Sequence, residues 1–283
     1  MNAAPKARTS RIAGWHIALL VVLGIVLLYA ALIGLMLARQ ESALFFPVKL
    51  APDFQFNKPD VIERQIEVPG ATLSALHFRQ PNAKGLIFFL HGNAGNLDIW
   101  LPGTDFYRHA GYDLFMIDYR GFGKSSGHIG SETELHADVL TAWHSIAGEY
   151  AGRPIVIYGR SLGSGLAVKL AAEVEAAQLI LVSSYSSFVQ LGQDHYPWIP
   201  AFATRYPMRA DEWLAKVSEP IFMIHGALDP LVSVKHSQQL KALRPDAELL
   251  ILPDAGHNDI HTFPAYTEAL MVKLAGVKPN TKP

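Results

Sequence analysis

A serine hydroxyl is a poor nucleophile at neutral pH unless a base removes its proton and an acid orients that base, so residues able to do this chemistry must occur as a set. The pattern G-x-S-x-G occurs at two places. Gly159-Arg160-Ser161-Leu162-Gly163 directly follows the apolar run Ile155 to Tyr158 and directly precedes an Ala-rich stretch of helical period. That is the strand-turn-helix setting in which a serine on a sharp turn presents its Oγ at the top of a sheet. Its glycines suit the crowding there, since strand and helix can approach closely only without Cβ atoms between them. The amide dipoles of the following helix also meet the nucleophile. Gly123-Lys124-Ser125-Ser126-Gly127 matches the same pattern but lies in a glycine-rich loop, with no strand directly before it and no helix directly after. Ser161 is therefore the expected nucleophile, and Ser125 is not. Gly123-Lys124-Ser125 also fails as a phosphate loop, because Asp118 stands where the first glycine of G-x-x-x-x-G-K-[ST] would have to be.

The base and the acid should follow in the order Ser, Asp or Glu, His, each in a loop beyond the carboxyl end of its own strand. Asp229 follows the apolar run Ile221 to Ile224, and His257 follows Leu249 to Leu252. They are the expected acid and base. Among the 12 histidines, His261 and then His225 are the rival bases, while Asp254 and Asp259 are rival acids that more naturally shape the His257 loop. A metal site built on His257, Asp259 and His261 lacks the H-E-x-x-H arrangement, and neither a metal nor an organic cofactor is expected. After the run Leu86 to Leu90 comes His91-Gly92-Asn93-Ala94-Gly95-Asn96. A tight glycine turn there can aim backbone N–H groups at developing negative charge, and the amides of Asn93 and Leu162 are the expected oxyanion donors. The competing reading is a plain strand-to-helix turn in which His91 bonds to backbone.

Composition narrows the chemistry further. The 283 residues contain no cysteine, which excludes a disulfide framework, a thiol nucleophile and any Cys-ligated metal site. With 24 basic and 25 acidic side chains the formal charge is −1, so no overall field gathers nucleic acid, and no nucleic-acid partner is expected. Nothing in the chain signals an obligate protein partner.

These residues need a scaffold. Apolar β-rich runs occur at Ile62 to Val68, Thr72 to Phe78, Leu86 to Leu90, Leu114 to Ile117, Ile155 to Tyr158, Leu179 to Val182, Ile221 to Ile224 and Leu249 to Leu252. Helix-period stretches lie between them, most clearly Glu132 to Ile146, Leu162 to Ala176, Val234 to Leu243 and Tyr266 to Leu274. Short, wholly apolar strands are what a parallel sheet covered on both faces requires. The expectation is an α/β fold, a mostly parallel sheet of eight strands flanked by helices, in one domain over residues 60–283. The interval Ser183 to Glu219 breaks the rhythm. Its aromatics and prolines resist regular helix, and residues about 185–214 are read as a small lid over a cleft at the strand ends.

Ahead of this domain, Ile17 to Leu37 carries no charge. At about 1.5 Å per residue this run reaches about 31 Å, the thickness of a bilayer's hydrocarbon core. It is read as one transmembrane helix after a short tail, residues 1–16, and before a connector, residues 38–59. A cleaved signal peptide would be shorter and would end in an A-x-A-like site, which does not occur near its end. Lys6, Arg8 and Arg11 precede the span, and Arg39 and Lys49 are the only basic residues close after it. This bias favours a cytoplasmic N-terminus and a domain on the non-cytoplasmic side, the periplasm if the cell is bacterial.

The ordered motifs HGNAGN, DYRGFGKSSG, GRSLGSG, HGALDPLV and AGHND resemble those of the α/β-hydrolase superfamily, in particular its membrane-anchored serine hydrolases related to lysophospholipase-like and protein-depalmitoylating members. The resemblance covers roughly Ile62 to Leu274. It implies an eight-stranded, mostly parallel sheet, an acyl-enzyme mechanism, and a triad of Ser161, Asp229 and His257. It also implies that Asp118 to Gly127 is a structural loop under the site, with Asp118 and Arg120 pairing or bonding to backbone. HGNAGN departs from the triple-glycine loop of lipases, which places bulky esters of tertiary alcohols in doubt. The expected reaction is hydrolysis of an acyl or lipid-like ester. Thioester or peptide hydrolysis and a catalytically silent binding protein are the alternatives.

Overall fold

Eight strands carry the molecule, and each coincides with one of the apolar runs: β1 (Val61–Val68), β2 (Ala71–Phe78), β3 (Leu86–Leu90), β4 (Asp113–Ile117), β5 (Ile155–Arg160), β6 (Gln178–Val182), β7 (Ile221–Gly226) and β8 (Glu248–Leu252). The computed structural model describes residues 7–58 and 60–279, without the side chains of 7–14. Lys6, and with it part of the charge bias before the span, lies outside the described residues. The strand order is β1-β2-β4-β3-β5-β6-β7-β8. β2 runs antiparallel to both of its neighbours, and every other pairing is parallel.

Alternation along the strands divides the core between the two faces of the sheet. Phe88, Ile155, Ile157, Leu179, Leu181 and Met223 join the side chains of α2 (Glu132–Ala147) and α3 (Leu162–Ala171) on one face. Ile87, Phe89, Val156, Tyr158, Ile180 and Val182 meet the helix Phe106–Ala110 and, with Leu270 and Leu274, α6 (Pro264–Ala275) on the other. α5 (Lys235–Leu243) adds Leu240 to the first face. The result is the helix-sheet-helix sandwich that fully apolar strands require.

Three elements differ from expectation, the first helix because it begins at Ala7, within the expected tail, rather than at Ile17. α3 ends at Ala171 rather than Ala176. There the amide of Ala176 donates to buried Glu219 Oε1 at 3.0 Å instead of continuing the helical ladder, which turns the chain towards β6. In the interval after β6, a regular helix, α4 (Phe188–His195), does form, N-capped by Ser187 Oγ, which accepts from Gln190 N at 3.0 Å. Pro197, Pro200 and Pro207 all fall after it, and the rest of the interval holds only short helical turns.

The chain divides into two compact units, residues up to Ala43 and from Leu44 onward. The first contains α1 (Ala7–Ala38), whose segment Trp15–Ala38 is apolar and 24 residues long, enough by length and composition to cross a membrane. A short helix, Gln40–Leu44, follows it. In the second unit Phe46–Pro47 pairs in parallel with Ala94–Gly95, beside the glycine turn after β3.

Candidate active site

The turn between β5 and α3 has the strain that its pattern implies. Ser161 takes φ 53° and ψ −120°, a conformation that costs a side-chain-bearing residue about 1–3 kcal/mol unless its surroundings enforce it. Enforcement comes from Ser161 N, which donates to Val182 O at 2.9 Å, and from the Ser161 carbonyl, which accepts from Ser164 N and Ser164 Oγ at 2.8 and 2.7 Å. The two flanking glycines answer to close approach: a Cβ on Gly163 would stand 2.0 Å from Leu90 O, and one on Gly159 would stand 2.3 Å from Gly163 O. Any side chain at either place would push α3 off the sheet.

The three residues expected from spacing come together although far apart in sequence. Ser161 Oγ donates to His257 Nε2 at 3.0 Å, and His257 Nδ1–H donates to Asp229 Oδ2 at 2.7 Å. A carboxylate can only accept, so this chain fixes the tautomer with the proton on Nδ1 and leaves Nε2 to take the serine proton. Asp229 is itself anchored, its Oδ1 accepting from Leu231 N at 2.9 Å and Val232 N at 2.8 Å. Burial works against its charge, but hydrogen bonds from His225, His257 and the Val232 amide outweigh it and hold the carboxyl well below the usual carboxylate range.

Of the rival residues, His225, His261 and Asp259 have other partners. His225 Nε2–H donates to Val232 O at 2.8 Å and lies 3.4 Å from Asp229 Oδ2, while its Nδ1 accepts from Ser237 Oγ at 2.6 Å. His261 Nδ1 is 3.4 Å from Arg160 Nη1. Asp259 shapes the base loop, its Oδ1 accepting from Gly256 N at 2.7 Å. The second G-x-S-x-G is structural: buried Ser125 Oγ donates to Asp118 O at 2.7 Å and accepts from Ser74 N at 2.8 Å. In the same loop Arg120 pairs with Asp138 at 2.5 Å and donates to Pro69 O at 2.8 Å. Among the described residues no group of three or more His, Asp or Glu is arranged to hold a metal ion.

The turn after β3 passes beside the serine. A methyl on Gly92 would lie 3.6 Å from Ser161 Cβ. Asn93 is held by the segment after Ala43, its carbonyl accepting from Phe46 N and its Nδ2 donating to Leu44 O, both at 2.8 Å. Leu162 opens α3, so its N–H has no carbonyl four residues back to bond within the helix. His91 Nδ1–H donates to Gly92 O at 2.7 Å, tightening the turn, and burial lowers its pKa to about 4. Asp118, 3.6 Å from His91 Nε2, is pushed up to about 8 by burial. The two share a dry interior in which charge is disfavoured on both.

A cleft of about 510 Å³ has an apolar wall of Phe46, Val48, Ile99, Trp100 and Pro102 and a polar side of Arg160, Asn258 and His261; it meets the site through Arg160 and Asn258, the chain neighbours of Ser161 and His257, which do not themselves line it. A second cavity of about 520 Å³ lies elsewhere, at Gln178, Glu219 and Val272, and is lined by none of Ser161, Asp229 and His257. Two contributors to the site escaped sequence reasoning. Arg160 Nη2 donates to the carbonyls of His257 (3.0 Å) and Asn258 (3.3 Å), and its guanidinium lies 5.2 Å from the centre of the Trp100 ring. Only the place of Arg160 between strand end and serine hinted at a role; the carbonyls it binds lie 97 and 98 residues away.

Comparison with known proteins agrees with this architecture. A family profile described as serine aminopeptidase, S33, matches residues 81–210, and one described as alpha/beta hydrolase fold matches residues 182–264. Alpha/beta hydrolase domain-containing protein 17B of Xenopus tropicalis is 34% identical over 201 residues, 67% of this chain and 66% of that protein. The human 17B protein has the same figures. The 17C protein of Xenopus tropicalis is 32% identical over 223 residues, 75% of this chain and 69% of its own length. The chain thus spans about two-thirds of the length of these relatives. Among solved structures, the esterase Pf2001 of Pyrococcus furiosus superposes with a TM-score of 0.66 at 19% identity, over 82% of this chain and 99% of that one. An alpha-beta hydrolase from Vibrio vulnificus gives 0.65 at 17% identity, over 76% and 81%. Eight strands in this order, the profiles and the relatives agree: the chain belongs to the α/β-hydrolase superfamily and is related to its domain-containing protein 17B and 17C members.

Proposed function

We propose that the protein is a membrane-anchored serine hydrolase that cleaves carboxylic esters of acyl or lipid-like compounds through an acyl-enzyme. The observation that carries this reading is the unbroken hydrogen-bonded chain from Ser161 Oγ through His257 to Asp229, at 3.0 and 2.7 Å. As Ser161 Oγ attacks the acyl carbonyl, its proton passes to His257 Nε2. The negative charge that develops on the carbonyl oxygen is received by the amides of Asn93 and Leu162. Collapse of this adduct breaks the ester C–O bond, and His257 returns the proton to the departing alkoxide. Water, deprotonated by the same imidazole, then attacks the acyl-serine, the bond from the acyl carbon to Oγ breaks, His257 returns the proton to Ser161 Oγ, and the acid leaves. Throughout, Asp229 keeps the proton on Nδ1 and stabilises the imidazolium.

The apolar wall of the 510 Å³ cleft supports an acyl or lipid-like substrate over a sugar or nucleotide. Residues 185–214 are read as a small lid; none of them lines this cleft, and what ties them to the site is His195 Nε2, which donates to Leu231 O in the acid loop at 2.8 Å. The span within Trp15–Ala38 anchors the enzyme in the bilayer. A serine-directed fluorophosphonate should label the purified protein, and Ser161→Ala should abolish both labelling and ester hydrolysis. Matched esters, thioesters and peptide amides then rank the bond cleaved, and esters should turn over fastest. Equal labelling of Ser161→Ala, or none of the wild type, would mark the molecule as a silent scaffold.

A further inference from the structure

We infer that Arg160 and Trp100 form a brace that holds the oxyanion turn, the nucleophile turn and the base loop in register, with Arg160 the positioning residue for His257. The inference rests on the reading of Ser161 and His257 as nucleophile and base. Arg160 closes β5 directly before Ser161, and it is only 7% exposed. Its guanidinium crosses to the loop after β8, where Nη2 donates to the main-chain oxygens of His257 and Asn258. The planar fork thus grips the backbone that carries the imidazole. Nη1 points to His261 Nδ1 at 3.4 Å, and the face of the cation lies on Trp100 at 5.2 Å.

Trp100 continues the connection. Its Nε1–H donates to Ala94 O at 2.8 Å, and its ring fills the space where a methyl on Gly92 would have to sit, 2.8 Å from the nearest ring carbon. Gly92 and Ala94 are the two neighbours of Asn93. One aromatic ring and one cation therefore join residues 92–94, 160–161 and 257–258, which no single element of the fold contains.

The charge of Arg160 is notable for what does not balance it. Among the described residues it has no salt bridge, and its Nε is buried without a hydrogen-bond partner. A buried cation supported by two carbonyls, a ring face and a long contact to a neutral imidazole, with no carboxylate, is costly where a neutral side chain could fill the same space. The arrangement is intelligible if these carbonyl contacts set the position of His257, because a misplacement of about 1 Å at reacting groups can cost about 100-fold in rate.

The test uses the full-length protein in detergent with a short-chain p-nitrophenyl ester, comparing Arg160→Met, Arg160→Lys, Trp100→Phe and Ser161→Ala. Arg160→Met should lower kcat by about 10- to 100-fold with KM little changed, the signature of misplaced reacting groups rather than lost substrate binding. It should keep its thermal midpoint within a few degrees, and Arg160→Lys, which restores a donor, should recover part of the loss. If Arg160→Met does not fold, the question passes to Arg160→Lys and Trp100→Phe, in which kcat should still fall with the midpoint preserved. Wild-type kcat in Arg160→Met, or in both remaining variants, overturns the brace. So does a loss of kcat that merely tracks the unfolded fraction. Undiminished hydrolysis by Ser161→Ala would instead overturn the reading on which the brace stands, so the two failures are separable.

Discussion

Asp229 shows how much of the site's behaviour is decided by single atoms. Its Oδ1 belongs to the backbone, through Leu231 N and Val232 N, and its Oδ2 belongs to His257. Asp229→Asn separates these duties. The amide oxygen can keep the two main-chain bonds, so the loop should hold its shape, but an NH2 group facing Nδ1 favours the tautomer with its proton on Nε2, which cannot accept from Ser161. The expected result is a loss of about 10⁴-fold in kcat with KM and thermal midpoint little changed, measured by steady-state kinetics and calorimetry. A modest loss, within about tenfold, would mean that the carboxylate does not set the tautomer. His225 would then be the next place to look, since it lies 3.4 Å from the same oxygen and is held by Ser237.

At the scale of elements, the strands were legible because burial on both faces leaves wholly apolar runs, and each of the eight strands lies on one. Ser161, Asp229 and His257 were legible for a related reason: each stands just beyond the carboxyl end of its strand, β5, β7 and β8 respectively. What remained hidden depends on side chains that meet only after folding. The end of α3 turns on Glu219, 43 residues from the amide it captures, and the Arg160 contact to the His257 carbonyl spans 97 residues. No local pattern encodes such pairs. β2 adds a further hidden feature, a fully buried histidine on its inward face. His77 Nε2–H donates to Tyr150 Oη at 2.7 Å, Tyr150 in turn donates to Asp113 at 2.5 Å, and His77 Nδ1 has no hydrogen-bond partner. Burial first, and then Arg64, lower its pKa to about 4. The native state therefore favours neutral imidazole, whereas the unfolded chain takes up a proton below about pH 6.5. The contribution of His77 to stability should be fully present above pH 6.5, fall as the pH drops from there towards 4, and level off below, with a total of about 2–4 kcal/mol from this residue. Denaturant midpoints measured across that range should show the slope, and His77→Asn should flatten it relative to wild type. An unchanged slope would move its origin to His91, the other buried histidine lowered to about 4.

For the whole molecule the deciding physical fact is an apolar helix without a polar face. Along Trp15–Ala38, Leu19, Leu20, Leu27 and Leu28 are each more than half exposed. Each Leu, Ile or Val at a helix centre contributes about 0.3–0.6 kcal/mol towards insertion, so the segment is long and apolar enough to cross a bilayer, a property that a signal sequence shares. In the proposed anchor, a following domain of this length would translocate largely regardless of its own charges, and the basic residues before the span would set direction. The absence of cysteine makes the direction measurable, because any thiol introduced is the only one in the chain. Lys216→Cys, at an exposed position in the second unit, should react with a membrane-impermeant maleimide in intact cells, after permeabilisation of the outer membrane if there is one. Asn2→Cys should react only after lysis, and both proteins should resist carbonate extraction. The reverse pattern would put the catalytic unit in the cytoplasm. Loss of the Asn2→Cys thiol from a carbonate-soluble product would show that the segment is a leader removed after export.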